Sequence, residues 1–345
     1  MKYSWRWFGP KDPVSIQDVR QTGATDIVSA LHHIPNGTVW SIAEIKQRQH
    51  EVEWDSVNNE PTNLTWSIVE SVPVHEDIKK QTGNYREYIQ NYQQTIRNLA
   101  ECGIKIVIYN FMPIIDWTRT DLSYRLPNGV RALRFDYFEF AAFDLYILQR
   151  RAAELDYTSQ EQIQARKVFD AMNEETKQRL IKNIIAGLPG AEESFTLEEF
   201  NAALEEYRDI NAERLRSHLF AFLREIMPVA DACGVRVAIH PDDPPRPMFG
   251  LPRILSNEND IMQVMDNFAS PNCGLNICAG SLGVSAANDL ERFIRTWGAR
   301  IPFVHLRSVR REEDGSFYED EHISGSTNLA KLVKAVLDVE KQFGC

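Results

Sequence analysis

The chain has 345 residues, 43% of them hydrophobic and 25% charged, an ordinary globular composition with ample material for a large core. Its formal net charge of −11 argues against nucleic acid as a partner, because such partners select a basic face, although a few arginines inside a pocket can still hold a small anion. Five cysteines (Cys102, Cys233, Cys273, Cys278 and Cys345) include no CxxC pair, no signal peptide opens the chain, and no run approaches the ~18 apolar residues of a membrane span, so a cytoplasmic protein with free thiols is expected.

Short apolar runs alternate with longer helical patterns, which predicts βα units and a parallel sheet. The first strand is expected at Ser4–Phe8 and the second at Asp26–Leu31. Ser41 and Glu44 have capping-box spacing and open a helix. A third strand follows at Leu64–Glu70, then a helix that Asn84 can cap and Gly103 can end, then a fourth strand at Ile104–Tyr109. From Thr118 to Ile210 the rhythm breaks. This stretch is polar and helix-rich, interrupted at Gly187-Leu188-Pro189-Gly190, and reads as a helical insertion after strand four that lies over one end of a barrel. In a long helix at Ala212–Cys233, residues Leu215, Leu219, Phe222, Leu223 and Ile226 form one apolar stripe, a core face. Strands five, six and seven are expected at Val235–His240, Gly274–Cys278 and Phe303–Leu306, with helices at Asn257–Phe268, Ala287–Trp297 and Asn328–Gln342. The Val and Ile content of several strands suits burial on both faces. This is the pattern of a single-domain TIM (β/α)8-type barrel over residues 1–345, with seven strands countable and the eighth βα unit expected to be missing where the chain stops.

Barrel enzymes carry their chemistry at the C-terminal ends of the strands. Of eight histidines, five (His32, His33, His75, His240 and His305) fall at such ends, which points to an enzyme. His240, Cys278 and His305 close three consecutive strands. Neighbouring strands lie about 4.8 Å apart, so these tips can share one ion. Two imidazoles and a thiolate suit Zn, Fe or another late divalent metal, with room for a carboxylate or water. Taken singly, each has another reading: a buried apolar cysteine, or a loop-capping histidine. Asp242 and Asp243, in a proline-rich turn, are either partners of His240 or turn-forming residues. Arg307 follows His305 by two and shares its face of the strand, where it suits either a substrate carboxylate or a structural salt bridge. Arg6, His75 and Ser281, at other strand ends, are further candidates for substrate contact. The Gly280–Gly283 loop is either an anion-binding turn or simply a tight one.

Longer motifs surround these residues: His240-Pro241-Asp242-Asp243-Pro244-Pro245-Arg246-Pro247, Phe249-Gly250-Leu251-Pro252-Arg253-Ile254, Tyr109-Asn110-Phe111-Met112-Pro113, Asp116-Trp117-Thr118-Arg119-Thr120-Asp121, Val304-His305-Leu306-Arg307, and the stretch from Asn183 to Glu193. Through them the chain resembles the mannonate dehydratase family over nearly its whole length. The resemblance implies a xylose-isomerase-like barrel and a lyase of hexuronate catabolism that converts D-mannonate to 2-dehydro-3-deoxy-D-gluconate and water. It implies an Fe²⁺ or Mn²⁺ requirement with His240, Cys278 and His305 as ligands, a small sugar acid as the binding partner, and room for a homodimer. It also places a further Asp ligand and the acid/base residues beyond Cys345, so the chain as it stands is expected to be inactive. Two alternatives stand beside this reading: a metal-dependent sugar isomerase on the same barrel, against which Cys278 argues, and a non-catalytic truncated paralogue.

Overall fold

Seven parallel strands form the centre of the molecule: β1 (Ser4–Arg6), β2 (Asp26–Ser29), β3 (Thr65–Glu70), β4 (Ile106–Tyr109), β5 (Arg236–Ile239), β6 (Cys273–Cys278) and β7 (Phe303–His305). They are hydrogen-bonded in sequence order into one curled α/β sheet, as in a TIM-type barrel. The computed structural model describes residues 1–185 and 195–343. Among these residues no eighth parallel strand joins β7 to β1. Each strand overlaps the segment predicted for it, and several carry the Val and Ile that burial on both faces favours.

The pleat sends alternate residues to opposite faces of the sheet. On the concave side Val28, Ile68, Ile108 and Ala238 make a small separate cluster, with Ile106 and Phe303 packed against it. On the convex side Ile27, Val69, Val107, Val237 and Leu275 join the main core beneath the helices. This parity positions the site. Glu70, His240 and His305 each lie two residues beyond a concave-side residue, above the apolar plug.

The helices start and stop for local reasons. Ser41 accepts a hydrogen bond from the Glu44 amide at the head of helix Ile42–Glu53. The expected box is half made, since the Glu44 carboxylate turns outward to His33, 2.8 Å away. Helix Tyr85–Glu101 follows Asn84, which makes no side-chain cap bond. Its chain reversal passes through Gly103 at φ +83°, a conformation glycine adopts without steric cost. Helix Ala212–Cys233 buries the predicted stripe and packs on Tyr85–Glu101.

The 118–210 segment, expected as a helix-rich insertion, holds strands as well as helices. It begins with an antiparallel hairpin, Asp121–Arg125 with Arg131–Phe135, and only then turns helical at Tyr137–Ala142, Ser159–Ala171, Glu174–Ile185 and Leu197–Glu206. A second hairpin, Val309–Arg311 with Phe317–Glu319, pairs with the first to give a four-stranded antiparallel sheet. Phe135 and Phe317 stack at 5.4 Å in this joint. The hairpin strands are only three to five residues long, too short for their period to stand out in a polar segment. Their sequence signals are the turn pairs Asn128-Gly129 and Asp314-Gly315. The expected break at Gly187–Gly190, most of the Asn183–Glu193 motif, and Cys345 lie outside the described residues. Among the described residues no helix is long and apolar enough to cross a membrane.

Candidate active site

The ends of β5, β6 and β7 bring His240, Cys278 and His305 together, with one donor atom of each within 4.8 Å of the others. The two imidazole rings are 5.3 Å apart. His240 Nδ1 is hydrogen-bonded to the Pro241 carbonyl at 2.7 Å, which turns Nε2 towards the cluster. A backbone carbonyl on the far nitrogen is the usual way to fix a metal-binding imidazole.

A fourth residue belongs to the cluster. Glu70, buried at the end of β3, has one carboxylate oxygen 3.0 Å from His305 Nε2 and the other 3.9 Å from His240 Nε2. Arg6 reaches it from β1 at 3.5 Å. In the sequence Glu70 ends strand three without standing out, and His75 in the loop beyond it is the candidate. The signal was parity: Glu70 is two residues beyond lumen-facing Ile68 at a strand tip.

Charge at the cluster is strongly coupled. Burial alone would raise the Cys278 thiol, but the Arg307 charge and hydrogen bonds from both histidines outweigh it and hold the thiol well below its ordinary range. Burial would likewise raise Glu70, yet His305 and Arg6 keep its carboxyl below the usual carboxylate range. For His305 burial acts downward and the Glu70 charge upward, with a net rise to about 9. A buried thiolate, two imidazole nitrogens and an adjacent carboxylate are a donor set that fits a divalent transition-metal ion.

Arg307 lines the same cavity, of about 250 Å³, as Arg6, Glu70, His240, Asp243 and His305. Its guanidinium is paired with buried Asp243. Asp243 also holds Arg119 at 2.8 Å. The Arg119 guanidinium is itself sandwiched between the rings of Trp117 and Phe317, each 4.8 Å away. Burial pushes the Asp243 carboxyl up, but Arg119 and Arg307 bring it down to about 2. Asp242 serves the turn, accepting from the Leu255 amide at 2.7 Å and from the Ser256 hydroxyl at 2.8 Å. Of the two readings of Arg307, the structure shows the salt bridge. The side chain faces the cavity, and a carboxylate fixes its direction.

The remaining candidates divide. Arg6 lines the cavity. His75 does not join it. It accepts a bond from the Asp77 amide as cap of helix Glu76–Lys80 and stacks on Tyr88 at 3.8 Å. Ser281 is buried in the short helix Ala279–Leu282 and donates back to the Cys278 carbonyl at 3.3 Å. The Gly280–Gly283 loop is this helix, and it seats Arg307. A Cβ built at Gly280 would lie 1.9 Å from Arg307 Nε. Gly280→Ala is thus expected to displace the guanidinium and lower kcat/KM at least tenfold, a loss of ~1.4 kcal/mol. Metal content, read by elemental analysis, should not change. Activity within twofold of the parent would show that Arg307 tolerates the shift.

Beside this cavity lies another of about 270 Å³, and the two share Arg6, Ser71, Asn110 and Asp116. His32 and Asn36 line it from the β2 end, and Ile185, Phe195, Ala203, Glu206 and Tyr207 from the 118–210 segment.

The profile of the D-mannonate dehydratase (UxuA) family matches residues 1–343. The chain belongs to the D-mannonate dehydratase family. It is 54% identical over 343 residues to a mannonate dehydratase of Marinomonas sp. strain MWYL1 and 51% identical over 343 residues to that of Chromohalobacter salexigens. Each alignment covers 99% of this chain and 86% of the relative. The crystal structure of mannonate dehydratase from Streptococcus suis serotype 2 superposes with a TM-score of 0.75 at 31% identity, covering 99% of this chain and 82% of that one. These dehydratase matches give no support to the sugar-isomerase or non-catalytic alternatives.

Proposed function

We infer that the chain dehydrates D-mannonate to 2-dehydro-3-deoxy-D-gluconate, with Fe²⁺ or Mn²⁺ held by His240, Cys278 and His305. The observation that carries this reading is the convergence of those three donors beside a cavity that His240, His305 and Arg307 line. The reaction removes a proton from C2 and hydroxide from C3, which depart as water. The enol left behind tautomerises to the 2-keto acid. When bound, a divalent cation supplies charge stabilisation at the carboxylate end of the substrate, where negative charge grows as the C2 proton leaves.

The protein's own groups prepare for this. Arg307, aimed by Asp243, offers a fork that matches a carboxylate in two hydrogen bonds. Arg6 adds positive charge from the β1 side. Glu70 balances the histidines, which keeps the cluster from becoming a net cation that would trap the product anion. Ile108, Met112 and Trp117 give the cavity apolar walls, which strengthen these electrostatic contacts by keeping water out. In this reading the barrel is of the xylose-isomerase-like kind, and segment 118–210 is the insertion that roofs its substrate end.

The test is turnover of D-mannonate by the Mn²⁺-loaded protein, followed as formation of the 2-keto product. Arg307→Lys loses the bidentate fork and is expected to lower kcat/KM more than tenfold, since lysine presents only a point charge. A change within twofold would remove Arg307 from carboxylate recognition.

A further inference from the structure

We propose that His32 is a specificity-determining residue that hydrogen-bonds a hydroxyl group on the distal end of the sugar acid, within the cavity adjoining the metal-ligand cluster. The proposal rests on the dehydratase reading and extends it to the part of the substrate that does not react.

The placement comes first. C2 and C3 have to lie at the cluster, next to Arg307, which leaves three further oxygenated carbons to accommodate. The cavity around the cluster and the one lined by His32 share Arg6, Ser71, Asn110 and Asp116, so the two adjoin and the distal carbons of an acid seated at the first lie towards the second.

Next is what the second cavity offers. Several of its polar groups are already committed. Lys79 donates to Glu76 at 2.6 Å and to the Met112 carbonyl at 2.7 Å. Asn110 donates to Asp116 at 3.2 Å. His32 differs. Its Nε2 is buried and has no hydrogen-bond partner, and the Nε of Arg6 is in the same condition. An unpaired buried polar atom costs on the order of 1–3 kcal/mol, which a ligand that satisfies it recovers.

The chemistry selects a hydroxyl. Burial, then the charges of Arg6 and Arg48, push the His32 imidazole down to about 4, so it is neutral near pH 7. A neutral imidazole has one donor and one acceptor nitrogen. A hydroxyl can meet either. A carboxylate could only accept, and it has Arg307 and Arg6 available at the other end. The ring is held in place by Phe8, 5.8 Å away between centroids. Leu31, Ile34 and Trp40 line the surrounding wall.

The experiment compares the Mn²⁺-loaded parent with His32→Phe and His32→Gln. The substrates are D-mannonate and its 4-, 5- and 6-deoxy analogues, and calorimetric affinities for the same acids are measured alongside turnover. His32→Phe is expected to raise KM and Kd for D-mannonate at least tenfold, with kcat within threefold and Mn²⁺ content unchanged, the pattern of lost uniform binding. The parent should discriminate at least tenfold against the one deoxy analogue that lacks the bound hydroxyl, and His32→Phe should lose that discrimination. His32→Gln, which keeps a donor and an acceptor, should recover much of the affinity. Unchanged KM, Kd and discrimination in both variants overturn the proposal while leaving the dehydratase reading intact. Parent protein that binds D-mannonate without turning it over overturns the dehydratase reading, and the calorimetric comparison still decides the role of His32. Parent protein that neither binds nor turns over the acid overturns both.

Discussion

Cys278→Ala is expected to strip the site of metal and to reduce dehydratase turnover on the order of 10³-fold. Three protein donors converge here, and the sulfur is the softest of them, which suits a late divalent metal. The surroundings favour ionisation, since Arg307 and both histidines stabilise the thiolate against the cost of burial. A bound divalent ion contributes several kcal/mol of charge stabilisation to such a reaction, and each ~1.4 kcal/mol is a factor of ten in rate. The side chain is small and fully buried, so its loss leaves the barrel folded. Cys278→Ser separates the donor's chemistry from its size: it retains volume but offers a hard, protonated oxygen. Elemental analysis after Mn²⁺ loading gives the primary measurement. The thiolate-to-metal absorption of the Co²⁺-substituted protein, present in the parent and absent in both variants, gives the second. Full metal stoichiometry in Cys278→Ala would remove the cysteine from the ligand set.

Asp243→Ala should be the most destabilising single change near the site, costing about 3–5 kcal/mol, because it leaves the charges of Arg119 and Arg307 without their shared buried partner. Arg119 has no route to water. It is fully buried between two aromatic rings, and its remaining carboxylate, Glu319, is 3.9 Å away. Urea unfolding of parent and variant across pH makes the prediction sharp. The native carboxyl of Asp243 is depressed to about 2 from an ordinary 3.8. Its contribution is therefore complete above about pH 4 and is lost as pH falls through 2. The gap between parent and variant should be full at pH 7 and narrow at pH 3. A pH-independent gap would assign the loss to packing instead of charge. Activity should fall further than stability, since Arg307 loses the group that aims it.

Much of this was legible in the sequence. Several strands of the sheet announced themselves because burial on both faces favours runs rich in Val and Ile, as at Ile106–Tyr109 and Arg236–Ile239. The helix at Ala212–Cys233 did so because its apolar residues repeat at helical spacing. His240, Cys278 and His305 were readable as a set because a barrel carries the ends of successive strands to one rim, and Arg307 followed from its two-residue offset. These are local rules of period and position, and a sequence states them directly.

What the tertiary structure alone decided is which neighbours each polar side chain meets. His75 sits at a strand end like the others, yet it caps a helix and stacks on Tyr88. Glu70 looks like the last residue of an ordinary strand, yet it closes the histidine pair from the opposite side of the barrel. Asp243 and Arg119, 124 positions apart, become one buried ion pair. The hairpins at Asp121–Phe135 and Val309–Glu319 become one sheet only when their distant phenylalanines meet. Hydrophobic period is a property of the segment, so the sequence determined the scaffold. Electrostatic pairing depends on distance through space, which the curl of the sheet sets, so only the folded chain determined how the site's polar side chains are paired.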